Sequence, residues 1–321
     1  MLKTWLLIPA IAIGLSNAAH AQGTQTVDVM NQLWGKHPHM RANHAKGLVT
    51  EGSFTASPEA ASLSKAAIFA GKPVPVIVRF SDSTGIPTIP DASDGANPHG
   101  MGIAFRPEGG DPVDLVLNSL GFFPVRTGEE FYQLLKSIAD SPKDAPKPTP
   151  FEQFVAAHPA VPAAFGTAKT PTSLAREVYN GVDAFILVGA DGARHPFRFK
   201  VVPELGAEYM TKDQIAAAGP DTLMTEMPQR LTSGPVSFRV MAQLAEAGDP
   251  IDDATKPWPA DRKLADLGRL TVTKVSQDSE KAQEALRLLP NKLEPGIELS
   301  NDPLIMARVQ AYVISFGRRA Q

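Results

Sequence analysis

Hydrophobic and polar positions alternate with a two-residue period in a series of short runs between residues 47 and 275, the pattern of half-buried β-strands. In Val74–Ser81, Val76, Val78 and Phe80 share one face, and Ile77, Arg79 and Ser81 share the other. Comparable runs occupy Gly47–Thr55, Gly100–Phe105, Val113–Leu117, Val182–Val188, His195–Val202, Pro235–Leu244 and Leu267–Val275. Glu108-Gly109-Gly110 and Asp191-Gly192 supply the turns of two hairpins. Eight strands suffice to close a barrel, and an interior site is expected.

Helical signals frame this region. Ser57 followed by Pro58 reads as an N-cap and first helical residue, with the helix running to about Ala70 and stopped by Gly71. Thr127–Ala139 and Ser279–Leu288 are further helices. A last one starts at Asn301-Asp302-Pro303. On it, Arg308 and Tyr312 are four residues apart and share a face, and Arg319 returns to that face if the helix continues past Gly317. Residues 82–99, rich in Asp, Ser, Gly and Pro, form a long loop of the kind that carries function. Ser141–Pro150 holds four prolines and reads as a surface loop.

Composition narrows the classes. Of 321 residues, 43% are hydrophobic and 20% charged, which excludes a disordered or fibrous chain. A net charge of −3 leaves no basic excess for nucleic acid or an acidic membrane surface. With no cysteine there is no disulfide, thiolate metal site, catalytic thiol or thioether-linked cofactor. The 29 prolines favour rigid loops over a helical bundle. Lys3, the apolar run from Trp5 to Leu15 and the small-residue pattern Ala19-His20-Ala21 predict a secretory leader over residues 1–21. The run is too short to span a bilayer, and a buried N-terminal helix is the alternative. Residues 22–321 are then a single exported domain, expected in the periplasm of a Gram-negative cell.

Four segments carry chemistry: Arg41-Ala-Asn-His44-Ala-Lys-Gly47, Val78-Arg79-Phe80-Ser81, Asn118-Ser-Leu-Gly-Phe122-Phe123, and Arg308-Val-Gln-Ala-Tyr312 with Arg319 beyond it. Singly, each has an ordinary structural reading: a packed histidine, a solvated strand arginine, a turn asparagine, a helix with basic residues at its C-terminus. Jointly, in this order and spacing, they resemble the haem catalases. Asp191-Gly192, the stretch from Asp253 through Trp258 to Pro259, and Pro295–Asp302 extend the likeness over residues 37–319. It is strongest to the small exported catalase-related peroxidases. The fold it implies is α+β: an antiparallel eight-stranded β-barrel with flanking helices.

The resemblance also implies roles. Tyr312 would ligate haem iron as phenolate, with Arg308 one turn away as its positive partner. Arg41, Arg79 and Arg319 would hold the propionates of a non-covalent haem b, since a guanidinium fork fits a carboxylate. His44 would move a proton between the two peroxide oxygens. Asn118 would orient the peroxide and Ser81 the His44 ring. Phe122, Phe123 and Phe131 would pack near the haem or its access route, or simply in the core. The partners implied are hydrogen peroxide or an organic peroxide and a small organic electron donor. No nucleic acid is expected, no membrane after leader cleavage, and a homo-oligomer is left open.

Departures from the family pattern touch access. Asn43 precedes the histidine where catalases often have valine. Asn97-Pro98-His99-Gly100 replaces an acid and an arginine, and the Arg126 segment carries one extra residue. The shorter chain would leave the haem edge more open, which favours peroxidase chemistry over peroxide disproportionation. The alternatives are a true catalase, an enzyme of the same fold for fatty-acid hydroperoxides, a non-catalytic haem-binding barrel, and a haem-free lipocalin-like binder. Of the remaining histidines, His37-x-His39 alone has a paired spacing and reads as a solvated arm, while His158 and His195 stand apart.

Overall fold

A computed structural model describes residues 10–319, with side-chain surroundings from residue 21 onward. Its strands are β1 (Gly47–Ala56), β2 (Val74–Ser81), β3 (Gly100–Phe105), β4 (Val113–Asn118), β5 (Tyr179–Asn180), β6 (Phe185–Val188), β7 (Arg194–Pro203), β8 (Val236–Leu244), β9 (Leu264–Val275) and β10 (Ile297–Leu299). Eight close an antiparallel barrel in the order β7-β5-β4-β3-β2-β1-β9-β8, with β8 returning to β7. The count of eight agrees with the sequence, but its membership differs. The expected strand at Val182–Val188 is β6, which pairs with one half of β7 and then with β10, outside the ring. The ring is completed instead by two-residue β5, which meets the other half of β7. Two residues are too few to show a period.

The helices are α1 (Ala10–Trp34), α2 (Pro58–Leu63), α3 (Gly128–Ala139), α4 (Pro150–Ala157), α5 (Ala160–Phe165), α6 (Lys212–Ala217), α7 (Thr222–Ser233), α8 (Ser279–Ala285) and α9 (Pro303–Arg319). Ser57 caps α2 as expected, accepting from the Ala60 N–H at 3.1 Å. The helix nevertheless ends at Leu63. Ser64 turns extended to donate to the Gly296 carbonyl, the Lys65 N–H reaches Val188, and only a 3-10 turn at Ala67–Phe69 follows. Thr127 caps α3 through Glu130, and Asp302 caps α9 through Leu304. That last helix does continue past Gly317 to Arg319. Residues 1–9, which hold the start of the expected leader, lie outside the described residues. From residue 10 the backbone is helical and runs without a break across Ala21 into α1.

The barrel interior is filled. Val76, Val78 and Phe80 point inward from β2, Ile103 and Phe105 from β3, and Leu115 and Leu117 from β4. Phe80, Tyr179 and Phe238 form an aromatic triangle with centroids 6.0 to 6.3 Å apart, and the Tyr179 hydroxyl donates to the Leu174 carbonyl at 2.9 Å. Such packing leaves no room for a ligand, so the expected interior site is corrected. On the outer face, Val49, Ile77 and Ala104 pack against Ala282, Leu286 and Leu288 in and just after α8. On the far side α1 packs with α3 and α9 through Val27, Met30, Leu135 and Ile314. Burying both faces of β2 hides Arg79 and Ser81, each 4% exposed, where the alternation alone suggests a solvated face.

Phe238 is fully buried against two aromatic rings, so Phe238→Ala is expected to cost about 3–5 kcal/mol, read as a lower midpoint in chemical unfolding at unchanged slope.

Candidate active site

Between the outer barrel wall and the helices α1 and α9 lies a cavity of about 1360 Å³, counting its open mouth. Its barrel side carries Arg41, Asn43 and His44 from the segment before β1, Arg79 and Ser81 from β2, Gly100 and Gly102 from β3, and Asn118 from β4. Arg308, Tyr312, Ser315 and Arg319 come from α9; Gln22, Thr26, Val27 and Met30 come from α1. Phe123 and Phe131 close one wall, their ring centroids 5.5 Å apart. Phe122 alone among the expected residues is not in the lining.

His44 is held from several directions. Its backbone is left-handed (φ +57°), a strained conformation for a residue other than glycine. The Asn43 side-chain oxygen accepts its N–H at 2.9 Å, and an Arg79 guanidinium donates to its carbonyl at 2.8 Å. The ring Nδ1 donates to the Asp82 carbonyl at 2.8 Å, with Ser81 Oγ 3.2 Å away. Nε2 is then the proton-free acceptor. Burial, reinforced by Arg79 and Arg41, pushes the imidazole down to about 3, so it is neutral near pH 7. Gly100 is required here: a Cβ on it would stand 2.7 Å from Ser81 Oγ and 3.1 Å from His44 Nδ1. Asn118 accepts from the Leu120 N–H at 2.9 Å, which leaves its amide NH₂ as the donor in the cavity wall.

Tyr312 is held from its own helix. Arg308 donates from Nε and Nη2 to the Tyr312 hydroxyl oxygen at 3.4 and 3.3 Å, and from Nη2 to the Val116 carbonyl of β4 at 3.2 Å. Its Nη1 pairs with Asp183. Burial works against the Arg308 charge, but Asp183 and Tyr312 outweigh it and raise its pKa above the ordinary arginine value. Burial, then repulsion from Asp183, pushes the neighbouring Asp302 carboxyl up to about 7.

The other three arginines meet around the C-terminal end of α8. Arg41 and Arg319 both donate to the Gln283 and Leu286 carbonyls, and Arg79 donates to the Gln283 side chain. Gly47 makes room for this, since a Cβ there would lie 2.5 Å from the Arg79 guanidinium. Among the described residues none of the three has a carboxylate partner, and the buried Arg319 Nε has no acceptor. Burial lowers all three from the usual arginine range. Neighbouring cations add to it: Arg79 and Arg319 act on Arg41, Arg319 acts on Arg79, and Arg287 acts on Arg319. A buried, uncompensated cationic cluster beside a large apolar-walled cavity is the complement of a ligand carrying two carboxylates. The residues present therefore fit a haem, with its propionates on the arginines and Tyr312 available to the iron.

The residues that depart from the family pattern have other tasks. Asn43 holds the backbone of His44. Asn97 donates to Thr170 Oγ1 at 3.1 Å. His99 is fully buried, its imidazole pushed down to about 4 mainly by burial, and faces Asp82 and Asp91. His37 contacts the Trp34 carbonyl, and His39 pairs with Glu284 at the surface. Asp183, Gln283 and the α1 lining take part in the site without a sequence signal for their roles. Gln283 and Leu286 act largely through main-chain carbonyls, which leave no residue-type signal, and Asp183 sits in a loop before β6.

Comparison with known proteins agrees with this geometry. The catalase family model matches residues 12–319. The chain is 30% identical over 301 residues to a catalase-related peroxidase of Synechococcus elongatus, covering 92% of this chain and 88% of that one. It is also 30% identical over 299 residues to a catalase-related peroxidase of Mycolicibacterium paratuberculosis, covering 92% and 94%. A fungal catalase crystal structure superposes with a TM-score of 0.77 at 18% identity over 99% of this chain, which spans 64% of that catalase's length. The chain belongs to the catalase family.

Proposed function

We propose that the protein is a haem peroxidase that reduces hydrogen peroxide or organic peroxides at the expense of small organic electron donors, in peroxide detoxification. The observation that carries this reading is one cavity shared by a neutral, tautomer-locked histidine, an arginine-held tyrosine and three buried arginines without counter-ions. The family is haem-dependent, and the two catalase-related peroxidases are its members of similar length. A haem b bound without covalent links suits a chain that has no cysteine. Asn97, bonded to Thr170, and neutral His99 put no carboxylate at the position where the family steers peroxide. That supports peroxidase over disproportionating chemistry.

Each residue then has a task. Tyr312 holds the iron, and Arg308 stabilises negative charge on its oxygen. Arg41, Arg79 and Arg319 bind the propionates. A bound haem would supply, from iron and porphyrin together, the two electrons that cleaving the peroxide O–O bond takes, and the organic donors would return them one at a time. His44 Nε2 takes the proton from one peroxide oxygen and returns it to the other, which leaves as water. The Asn118 amide donates to the peroxide and orients it. Ser81 and the Asp82 carbonyl keep Nε2 turned to the cavity. Phe123 and Phe131 form the apolar wall of the approach. Export to the periplasm rests on Lys3, the apolar run to Leu15 and the Ala19-His20-Ala21 pattern.

Haem-loaded protein is expected to show a high-spin ferric absorption spectrum of the phenolate-ligated type, lost or shifted in Tyr312→Phe. A colourless protein, or a spectrum indifferent to that change, would overturn the cofactor assignment. His44→Ala should bind haem with an intact spectrum yet lose about 10²–10⁴-fold in peroxide turnover. In the wild type, kcat/KM for peroxide should show no acid limb near the ordinary histidine value of about 6.5, because His44 stays neutral down to about 3. Donor oxidation should exceed donor-free peroxide consumption; the reverse ratio would make the protein a true catalase. Amino-terminal sequencing of protein from the periplasmic fraction is expected to begin at Gln22.

A further inference from the structure

Behind the histidine lies a buried cluster that the proposed reaction does not use. Asp82 follows Ser81 at the end of β2. Its N–H donates to the Lys46 carbonyl at 3.1 Å, and its own carbonyl accepts from His44 Nδ1 at 2.8 Å. Its carboxyl is fully buried, and neither oxygen has a hydrogen-bonded donor among the described residues. The nearest cation-capable group is His99, with Nε2 3.4 Å from Oδ1. Asp91, also fully buried, lies beside it. One Asp91 oxygen accepts from the Leu223 and Met224 N–H groups at 2.8 and 2.9 Å, and the other pairs with Lys46 at 2.5 Å. Lys46 leads outward to exposed Asp221 at 2.8 Å.

Charge and geometry together require a proton here. Two buried acids face each other with one ammonium between them and the surface, and two acceptors can hydrogen-bond only if one of them is protonated. We propose that Asp82 is a positioning residue for His44: its carboxyl shares one proton with Asp91, and that hydrogen bond fixes the turn whose carbonyl holds His44 Nδ1. Burial, then the Asp91 carboxyl, pushes Asp82 up to about 9, opposed by Lys46 and Arg79. The groups facing it are His44 and Lys46 before β1, Arg79 on β2, Asp91 and His99 in the loop to β3, and Tyr179 on β5. Loss of the shared proton sets two carboxylates side by side directly behind His44, and their repulsion displaces the carbonyl that fixes its tautomer. Alkaline pH therefore releases the histidine with no change at the histidine itself.

The proposal rests on the reading of His44 as the proton carrier, but its first test needs no turnover. Infrared spectra of the haem-loaded protein at pH 8, above the value of about 7 for Asp302 and Glu177, should show a protonated carboxyl band that titrates away near pH 9 and is missing in Asp82→Asn. Peroxide turnover of the wild type should fall over the same range through kcat rather than KM. In Asp82→Asn, whose amide donates to Asp91 at every pH, this alkaline limb should be displaced or gone. Should that variant fail to fold, Asp91→Asn reads the cluster from its other side: with the like charge removed and burial unchanged, the band should titrate away at a lower pH than in the wild type. No such band at pH 8 in the wild type, a band that survives there in Asp82→Asn, or an unmoved titration in Asp91→Asn overturns the shared proton. An alkaline limb unchanged in Asp82→Asn overturns the positioning role, whereas absence of any peroxide turnover with the band present would refute the proposed function alone.

Discussion

The two-residue period of β2 couples the core to the chemistry. Val76, Val78 and Phe80 must face into the barrel, because there they meet Tyr179 and Phe238. Once that face is fixed, Arg79 and Ser81 have to face outward. A one-residue slip would send both into the aromatic interior and remove the guanidinium that clamps His44 along with the hydroxyl beside its ring. The same constraint acts on β3 and β4. There, outward Gly100 lets Ser81 and His44 approach, and outward Asn118 carries its amide to the cavity. A filled barrel thus serves as a rigid plate for a site on its outer surface, and α1, α3 and α9 turn that plate into a pocket.

Much of this is legible from residue order. The alternation of β2, the caps at Ser57 and Asp302, and the shared face of Arg308 and Tyr312 are local properties, and each is found in the fold. What stays hidden is non-local. β5 is too short for a period to show, and its place in the ring is set by where β7 divides its edge between two partners. α2 breaks at Ser64 because distant Gly296 and Val188 offer better hydrogen bonds than another helical turn. Arg41 and Arg319 converge on main-chain carbonyls, which no side-chain pattern announces. The side of the barrel on which the site lies was equally hidden, since a period of two distinguishes the faces of a strand without saying which encloses the core.

Three electrostatic zones divide the cavity, and each residue set makes sense only beside the others. Around Tyr312, the Arg308 charge is matched by Asp183, so the tyrosine oxygen receives hydrogen bonds from a cation that is itself anchored and paired. Around Gln283, three guanidiniums share carbonyl acceptors but no acid, an arrangement whose cost is relieved only by a dianionic group. Around His44 the groups are neutral: imidazole, amide and hydroxyl. A base that must accept and return a proton within one encounter needs that neutrality, because an adjacent carboxylate would raise its pKa and trap the proton.

Neutrality in the third zone is not local to it. Arg79 belongs to the cationic zone, yet it bonds the His44 carbonyl and, after burial, is the chief influence lowering the imidazole pKa. Asp82 would oppose that effect if it were ionised, since its carboxyl stands on the residue whose carbonyl the ring bonds. The buried acid pair and the arginines therefore act on the same imidazole from two sides, and two conditions add to the burial that keeps His44 neutral: charged arginines and an uncharged Asp82 carboxyl. A haem seated on the arginines would strengthen the first condition by giving them their counter-ions. The second would be met within the protein, by the proton shared between the fully buried Asp82 and Asp91 carboxyls.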